Sequence, residues 1–94
     1  VVIVTTDNPR NESAEAICEA IGAGVRETIG SKPWEVIVDR QQAIFRAIGM
    51  ASPEDTVLIS GKGHETYQIF EDRTIHFDDR EEAAEALKER LGLR

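Results

Sequence analysis

The sequence predicts an α/β domain: a mostly parallel, Rossmann-like sheet with flanking helices and a C-terminal β-hairpin. Three observations predict it. Short β-branched runs alternate with helical apolar stripes as far as residue 60. The first run, Val1-Val2-Ile3-Val4, is continuous rather than alternating, as expected of a strand covered on both faces. The segments between runs are long enough to be crossover helices, which makes the βαβ units right-handed. The expected order is β-α-β-α-β-β-β-α.

Each element has a local reason. Asp7-Asn8-Pro9-Arg10 breaks the first strand, because proline biases Asn8 away from helix and Asp and Asn form turns. Ser13 is the N-cap candidate of a helix, with Ala16 where a capping box carries Glu. Ala14, Ile17, Cys18, Ile21 and Val25 make its apolar face, and Gly22 and Gly24 weaken its far end. Gly30-Ser31-Lys32-Pro33 is a loop, and Trp34-Glu35-Val36-Ile37-Val38 a second strand. Asp39 caps a second helix that sets Ala43, Ile44, Ala47, Ile48 and Ala51 on one side, and Ser52-Pro53-Glu54-Asp55 closes it. Thr56-Val57-Leu58-Ile59-Ser60 is a third strand, followed by the glycine-rich loop Gly61-Lys62-Gly63-His64-Glu65. Tyr67–Phe70 and Thr74–Phe77 form a hairpin around Glu71-Asp72-Arg73. Asp78 or Asp79 caps the last helix, striped by Ala83, Ala84, Leu87 and Leu91 and stopped by Gly92.

In parallel sheets ligands bind beyond the carboxyl ends of the strands. The loops 7–10 and 61–65 each follow a parallel-type strand, so the topology sends both to one rim. Two separate motifs thereby become one candidate site.

Composition narrows the function. The 94 residues suffice for one modest core, and 40% apolar with 31% charged residues is globular. Eleven Lys and Arg against 18 Asp and Glu give a net charge of −7, which argues against general nucleic-acid binding and against an anionic membrane surface. The single cysteine, Cys18, excludes an internal disulfide framework and a Cys-rich zinc site. The sequence has no apolar run long enough to span a bilayer and no basic-then-apolar leader. It opens at Val1, inside an apolar run, and is read as a piece of a longer chain.

In the first loop, Asp7 offers a carboxylate, Asn8 an amide and Arg10 a planar fork matched to a carboxylate or phosphate, while Pro9 stiffens the backbone. Opposite charges a few residues apart suit a zwitterion; the plain alternative is a turn with a capping residue and a solvated Arg. In the second loop, Gly61 and Gly63 permit close backbone approach, Lys62 and His64 donate, and Glu65 accepts; the alternative is a tight turn. No Gly-Lys-Ser/Thr closes a P-loop, and Gln68 stands where a zinc-protease helix after His64-Glu65 needs His. Asp39-Arg40 reads as a cap with an exposed charge, and Asp78-Asp79-Arg80-Glu81-Glu82 as a solvated first turn, with a Mg²⁺ site there the weaker alternative. Cys18 reads as core, and His76 as facing a neighbouring strand or solvent. No nucleophile–base–orienter set emerges, so no catalytic and no metal-binding residue is assigned.

Asp7-Asn8-Pro9-Arg10 after a Val/Ile strand, and Gly61-Lys62-Gly63-His64-Glu65 with Tyr67-Gln68 after a later one, resemble the C-terminal domain of Mur ligases, and within that family its diaminopimelate-adding branch. Asp39-Arg40 with Ala43-Ile44, and Phe77-Asp78-Asp79-Arg80-Glu81, also resemble that family, so the likeness covers nearly all of 1–94. It implies a partial C-terminal amino-acid-binding domain of a bacterial, cytoplasmic, ATP-dependent ligase of cell-wall precursor synthesis. The N-terminal and central ATP-binding domains would lie outside the chain. ATP and Mg²⁺ would then serve the full-length enzyme and not this fragment, which alone is expected to be inactive. The implied partners are meso-diaminopimelate and UDP-MurNAc-dipeptide. The resemblance assigns Asp7, Asn8, Pro9 and Arg10 to the amino-acid pocket, with Arg10 on a carboxylate of diaminopimelate. It sets the Gly61 backbone and the Glu65 carboxylate at the distal amino-acid end, with Lys62, Gly63, His64 and Tyr67 as accessory residues. A lysine-adding relative and a stand-alone small-ligand module are the alternatives. A receiver-like domain and a purely structural fragment fit less well.

Overall fold

The computed structural model describes residues 1–10, 12–30, 33–62 and 64–92. Its elements are β1 (Val2–Val4), α1 (Ala14–Ile29), β2 (Trp34–Val36), α2 (Arg40–Met50), β3 (Tyr67–Ile69), β4 (Thr74–His76) and α3 (Asp79–Arg90). β1 and β2 pair in parallel with Val2 opposite Trp34 and Val4 opposite Val36, and α1 is the crossover between them. β3 and β4 form the antiparallel hairpin, with Gln68 opposite Ile75. The α/β class and the hairpin are therefore as the sequence predicts.

The helix ends follow the cap chemistry. Ser13 Oγ accepts the Ala16 N–H, Asp39 Oδ1 that of Gln42, and Asp78 Oδ1 that of Arg80. Gly92 turns out of α3 at φ 73° with its N–H on Glu89 O. Arg90 Nη1 donates to the carbonyls of Ile48 and Gly49, so α3 satisfies two of the orphan acceptors at the end of α2.

The third predicted strand is absent among the described residues. Residues 56–60 join no ladder. Val57 and Ile59 pack on the core, whereas Leu58 is 86% exposed. The alternation is that of a strand, but a strand exists only where a neighbour takes its backbone hydrogen bonds. Here the Ser60 carbonyl is instead taken by the side chain of Arg40. The result is two two-stranded sheets, one parallel and one antiparallel, rather than one mostly parallel sheet.

Ile44 and Ile48 of α2 pack with Phe77 and Ala86, joined by Phe45, Val57, Ile59 and Ala83. Two expected apolar stripes are shifted. In α3 the buried side carries Ala86 and part of Ala83, while Leu87 and Leu91 are exposed, because α3 lies against α2 through small side chains and its two ends are fixed by polar contacts. In α1 Cys18 and Gly22 are buried and Ile21 is half exposed. A Cβ at Gly22 would lie 3.0 Å from Trp34 Cζ3, so the indole occupies the space an ordinary side chain would fill.

Candidate functional site

The loop after β1 is stitched to the hairpin. Gln68 Nε2 donates to the carbonyls of Thr6 (3.3 Å) and Asp7 (2.8 Å). Asn8 Oδ1 accepts the Ile69 N–H at 2.9 Å, and the Arg10 N–H reaches Ile69 O at 3.0 Å. Pro9 is buried, and its carbonyl accepts the Glu12 N–H. These bonds turn the chain so that Arg10 stands exposed with φ 59°, a left-handed conformation uncommon outside glycine.

The loop after residue 60 meets it. Gly61 has φ 110°, and a Cβ built there would lie 3.5 Å from Asp7 Oδ2, so the two loops approach closely at this point. Asn8 Nδ2 donates to Glu65 Oε1 at 3.3 Å, and the Tyr67 hydroxyl donates to Glu65 Oε2 at 3.3 Å. Asp7 Oδ1 is buried with no hydrogen-bond partner among the described residues. Lys62 is buried at 3% exposure, its ammonium donating to Tyr67 O and lying 5.6 Å from the Tyr67 ring centroid. It braces the turn from within, whereas His64 is exposed. Gly63 lies outside the described residues. Asp7, Asn8, Gly61, Glu65 and Tyr67 thus come together, and Arg10 is exposed at the end of the first loop. Two carboxylates, with a guanidinium on the same loop as one of them, are the groups that the ammonium and carboxylate ends of a zwitterion require.

Four buried side chains missed by sequence reasoning, Arg40, Asp78, Asp79 and Gln68, lie behind these loops. Arg40 is 4% exposed, not solvated: Nε and Nη2 grip Asp79 at 2.8 and 2.7 Å, Nη1 donates to Thr6 O at 3.0 Å, and Nη2 to Ser60 O at 3.1 Å. Asp78 and Asp79 are buried rather than a solvated first turn, because one caps α3 and the other pairs with Arg40. The Arg80 side chain and N–H hold the Asp78 carboxyl below its ordinary 3.8. Gln68 is the fourth. The available signals were an arginine two residues past the predicted strand 34–38 and a lone amide in an apolar hairpin strand.

The remaining candidates stand apart. Cys18 is fully buried, 3.8 Å from Thr6 Oγ1. His76 is exposed on the hairpin, where its hydrogen bond to Glu81 raises its pKa above the ordinary 6.5. That attraction is therefore complete below about 6.5 and fades as the pH rises through the raised value. Among the described residues no three His, Cys, Asp or Glu side chains gather as a metal centre needs, and no helix is long and apolar enough to cross a membrane.

The chain is similar to known proteins of one family. The family described as "Mur ligase, glutamate ligase domain" matches residues 1–63. A protein of Thermosynechococcus vestitus named UDP-N-acetylmuramoyl-L-alanyl-D-glutamate--2,6-diaminopimelate ligase is 52% identical over 92 residues, which are 96% of this chain and 18% of that protein. A protein of the same name from Clostridioides difficile is 51% identical over 85 residues, 90% of this chain and 17% of that protein. A solved structure titled as the same ligase superposes with a TM-score of 0.78 at 34% identity, covering 95% of this chain and 18% of that one. The chain thus spans less than a fifth of these relatives. With the family matched across both the β1 loop and the start of the second loop, the chain belongs to the Mur ligase family.

Proposed function

We propose that residues 1–94 are the amino-acid-binding part of the C-terminal domain of a ligase that adds meso-diaminopimelate to UDP-N-acetylmuramoyl-L-alanyl-D-glutamate in peptidoglycan precursor synthesis. The observation that carries this reading is the meeting of the two loops: Asn8 bonded to Glu65, and Asp7 against Gly61, with Arg10 exposed at their edge. The names of the relatives support it. In this reading Arg10 takes a carboxylate of diaminopimelate, and Asp7 and Glu65 receive its ammonium groups. The Gly61 backbone bounds the distal end, and Pro9 keeps the loop stiff so that little entropy is lost on binding. Lys62, Gly63, His64 and Tyr67 complete the second loop.

In the full-length enzyme ATP with Mg²⁺, held by residues outside 1–94, would supply the phosphoryl group that activates the dipeptide carboxylate. The residues here hold the incoming amine so that it reaches the acyl carbon, where the C–N bond forms as phosphate leaves. The acidic surface and the cell-wall substrate fit a cytoplasmic, bacterial enzyme without nucleic-acid or membrane partners.

Diaminopimelate has a carboxylate that lysine lacks, so Arg10 should discriminate between them: with lysine bound, the guanidinium loses its partner. Calorimetry of the full-length protein tests this. Arg10→Ala should weaken meso-diaminopimelate binding by about 10–100-fold, the worth of hydrogen bonds to a charged group, and should weaken lysine binding far less. Equal losses for both amino acids would remove Arg10 from that role.

A further inference from the structure

The two loops are not joined by a backbone ladder among the described residues, since 56–60 pairs with no strand. Their roots are instead held by one side chain. Thr6 immediately precedes Asp7, Ser60 immediately precedes Gly61, and Arg40 donates to both carbonyls. We propose that Arg40 is a positioning residue for the amino-acid site: its guanidinium sets the distance and angle between the Asp7–Arg10 loop and the loop that opens at Gly61. This inference rests on the amino-acid-binding reading above.

The geometry of the donors carries the argument. A guanidinium has five N–H groups in one rigid plane. Here Nε and one Nη2 proton meet the two oxygens of Asp79, the other Nη2 proton meets Ser60 O, and Nη1 meets Thr6 O. Asp79 opens α3, and Arg40 opens α2 directly after the Asp39 cap. The bidentate grip fixes the plane of the fork, and a fixed plane leaves Nη2 one remaining direction and Nη1 two, one of which meets Thr6 O. The carbonyls that accept them are therefore registered against the starts of two helices packed on each other.

Packing alone does not explain this side chain. Apolar residues of similar volume often replace a buried ion pair without loss of stability. An apolar pair, however, cannot donate to Thr6 O and Ser60 O. A lysine keeps the charge but, as a compact ammonium without the planar fork, cannot hold the Asp79 carboxylate bidentately while reaching both carbonyls.

Steady-state kinetics of the full-length enzyme separates positioning from folding, with two variants: Arg40→Lys and the double replacement Arg40→Met with Asp79→Leu. Each folded variant should raise the KM for meso-diaminopimelate by on the order of 10²-fold, the effect of a misplacement of about 1 Å. The KM for ATP should stay within about twofold. Parental KM for meso-diaminopimelate in either folded variant overturns the proposal, and so does an equal rise in the KM for ATP, which a merely structural role would produce. Arg10→Ala run alongside keeps the two claims distinct. If it leaves meso-diaminopimelate binding unchanged, the amino-acid reading fails; if it weakens binding while both Arg40 variants behave as the parent, only the positioning role fails.

Discussion

Arg10 combines a chemical role with an unfavourable backbone. A left-handed conformation costs a non-glycine residue about 1–2 kcal/mol, and here it is held by the Arg10 N–H on Ile69 O and the Asn8 side chain on Ile69 N–H. Arg10→Gly relieves that cost and loses about 0.5–1 kcal/mol to the freer unfolded chain. The two effects nearly cancel, so thermal unfolding of Arg10→Gly should match the parent or rise by a few degrees. Arg10→Ala keeps both the strained φ and the stiffer unfolded chain, and should unfold with the parent. Both should lose meso-diaminopimelate alike in calorimetry. A marked loss of stability in the glycine variant alone would mean that Arg10 does not occupy the left-handed region.

At the scale of elements, α1 contains an internal control. Gly22 and Gly24 share a helix, yet a Cβ at Gly24 meets nothing within 4 Å while one at Gly22 meets the Trp34 ring at 3.0 Å. Gly24→Ala should stabilise by about 1 kcal/mol from helix propensity alone. Gly22→Ala gains the same propensity but must push back an indole, at about 1–3 kcal/mol for overpacking, and should come out destabilised by about 1 kcal/mol. Urea midpoints read both, and a shift in Trp34 fluorescence should accompany only the Gly22 change. The same contrast explains what was legible in the sequence. Ser13, Asp39 and Gly92 act locally, within one turn of themselves, and were readable as caps. The loops 7–10 and 61–65 were readable as neighbours because parallel topology sends them to one rim. Arg40 and Asp79 were not, because their pairing spans 39 residues and a lone charge in a sequence reads as solvated. Gly22 was misread for a related reason: propensity marks a helical glycine as weakness, whereas only the fold brings Trp34 onto it. Residues 56–60 have the alternation of a strand, but alternation cannot supply the neighbour that makes one.

The whole molecule is two small sheets held together as much by polar stitches as by the apolar contacts of α2 with α3. Gln68 is the clearest stitch: 3% exposed, it sits on the hairpin and donates to the backbone leaving β1. Gln68→Leu keeps the volume and removes the donor. Thr6 O retains Arg40, but Asp7 O is left without this partner, which should cost about 1–3 kcal/mol. Gln68→Glu should cost more at pH 7, because it sets a buried carboxylate against two carbonyl oxygens. Both effects favour the neutral acid in the folded state, so its folded pKa must lie above the ordinary value near 4.3. The added penalty is therefore present at pH 7, shrinks as the pH falls through that raised value and is gone only below about 4.3. Urea midpoints should rank parent, Gln68→Leu, Gln68→Glu at pH 7, with the last two converging below about pH 4. Trp34 fluorescence reports the parallel sheet, whereas far-ultraviolet circular dichroism is dominated by all three helices. If the stitches make the two sheets one cooperative unit, both signals should shift together in each variant. A loss of helix signal at a midpoint where Trp34 still reports the folded state would show instead that the sheets unfold separately.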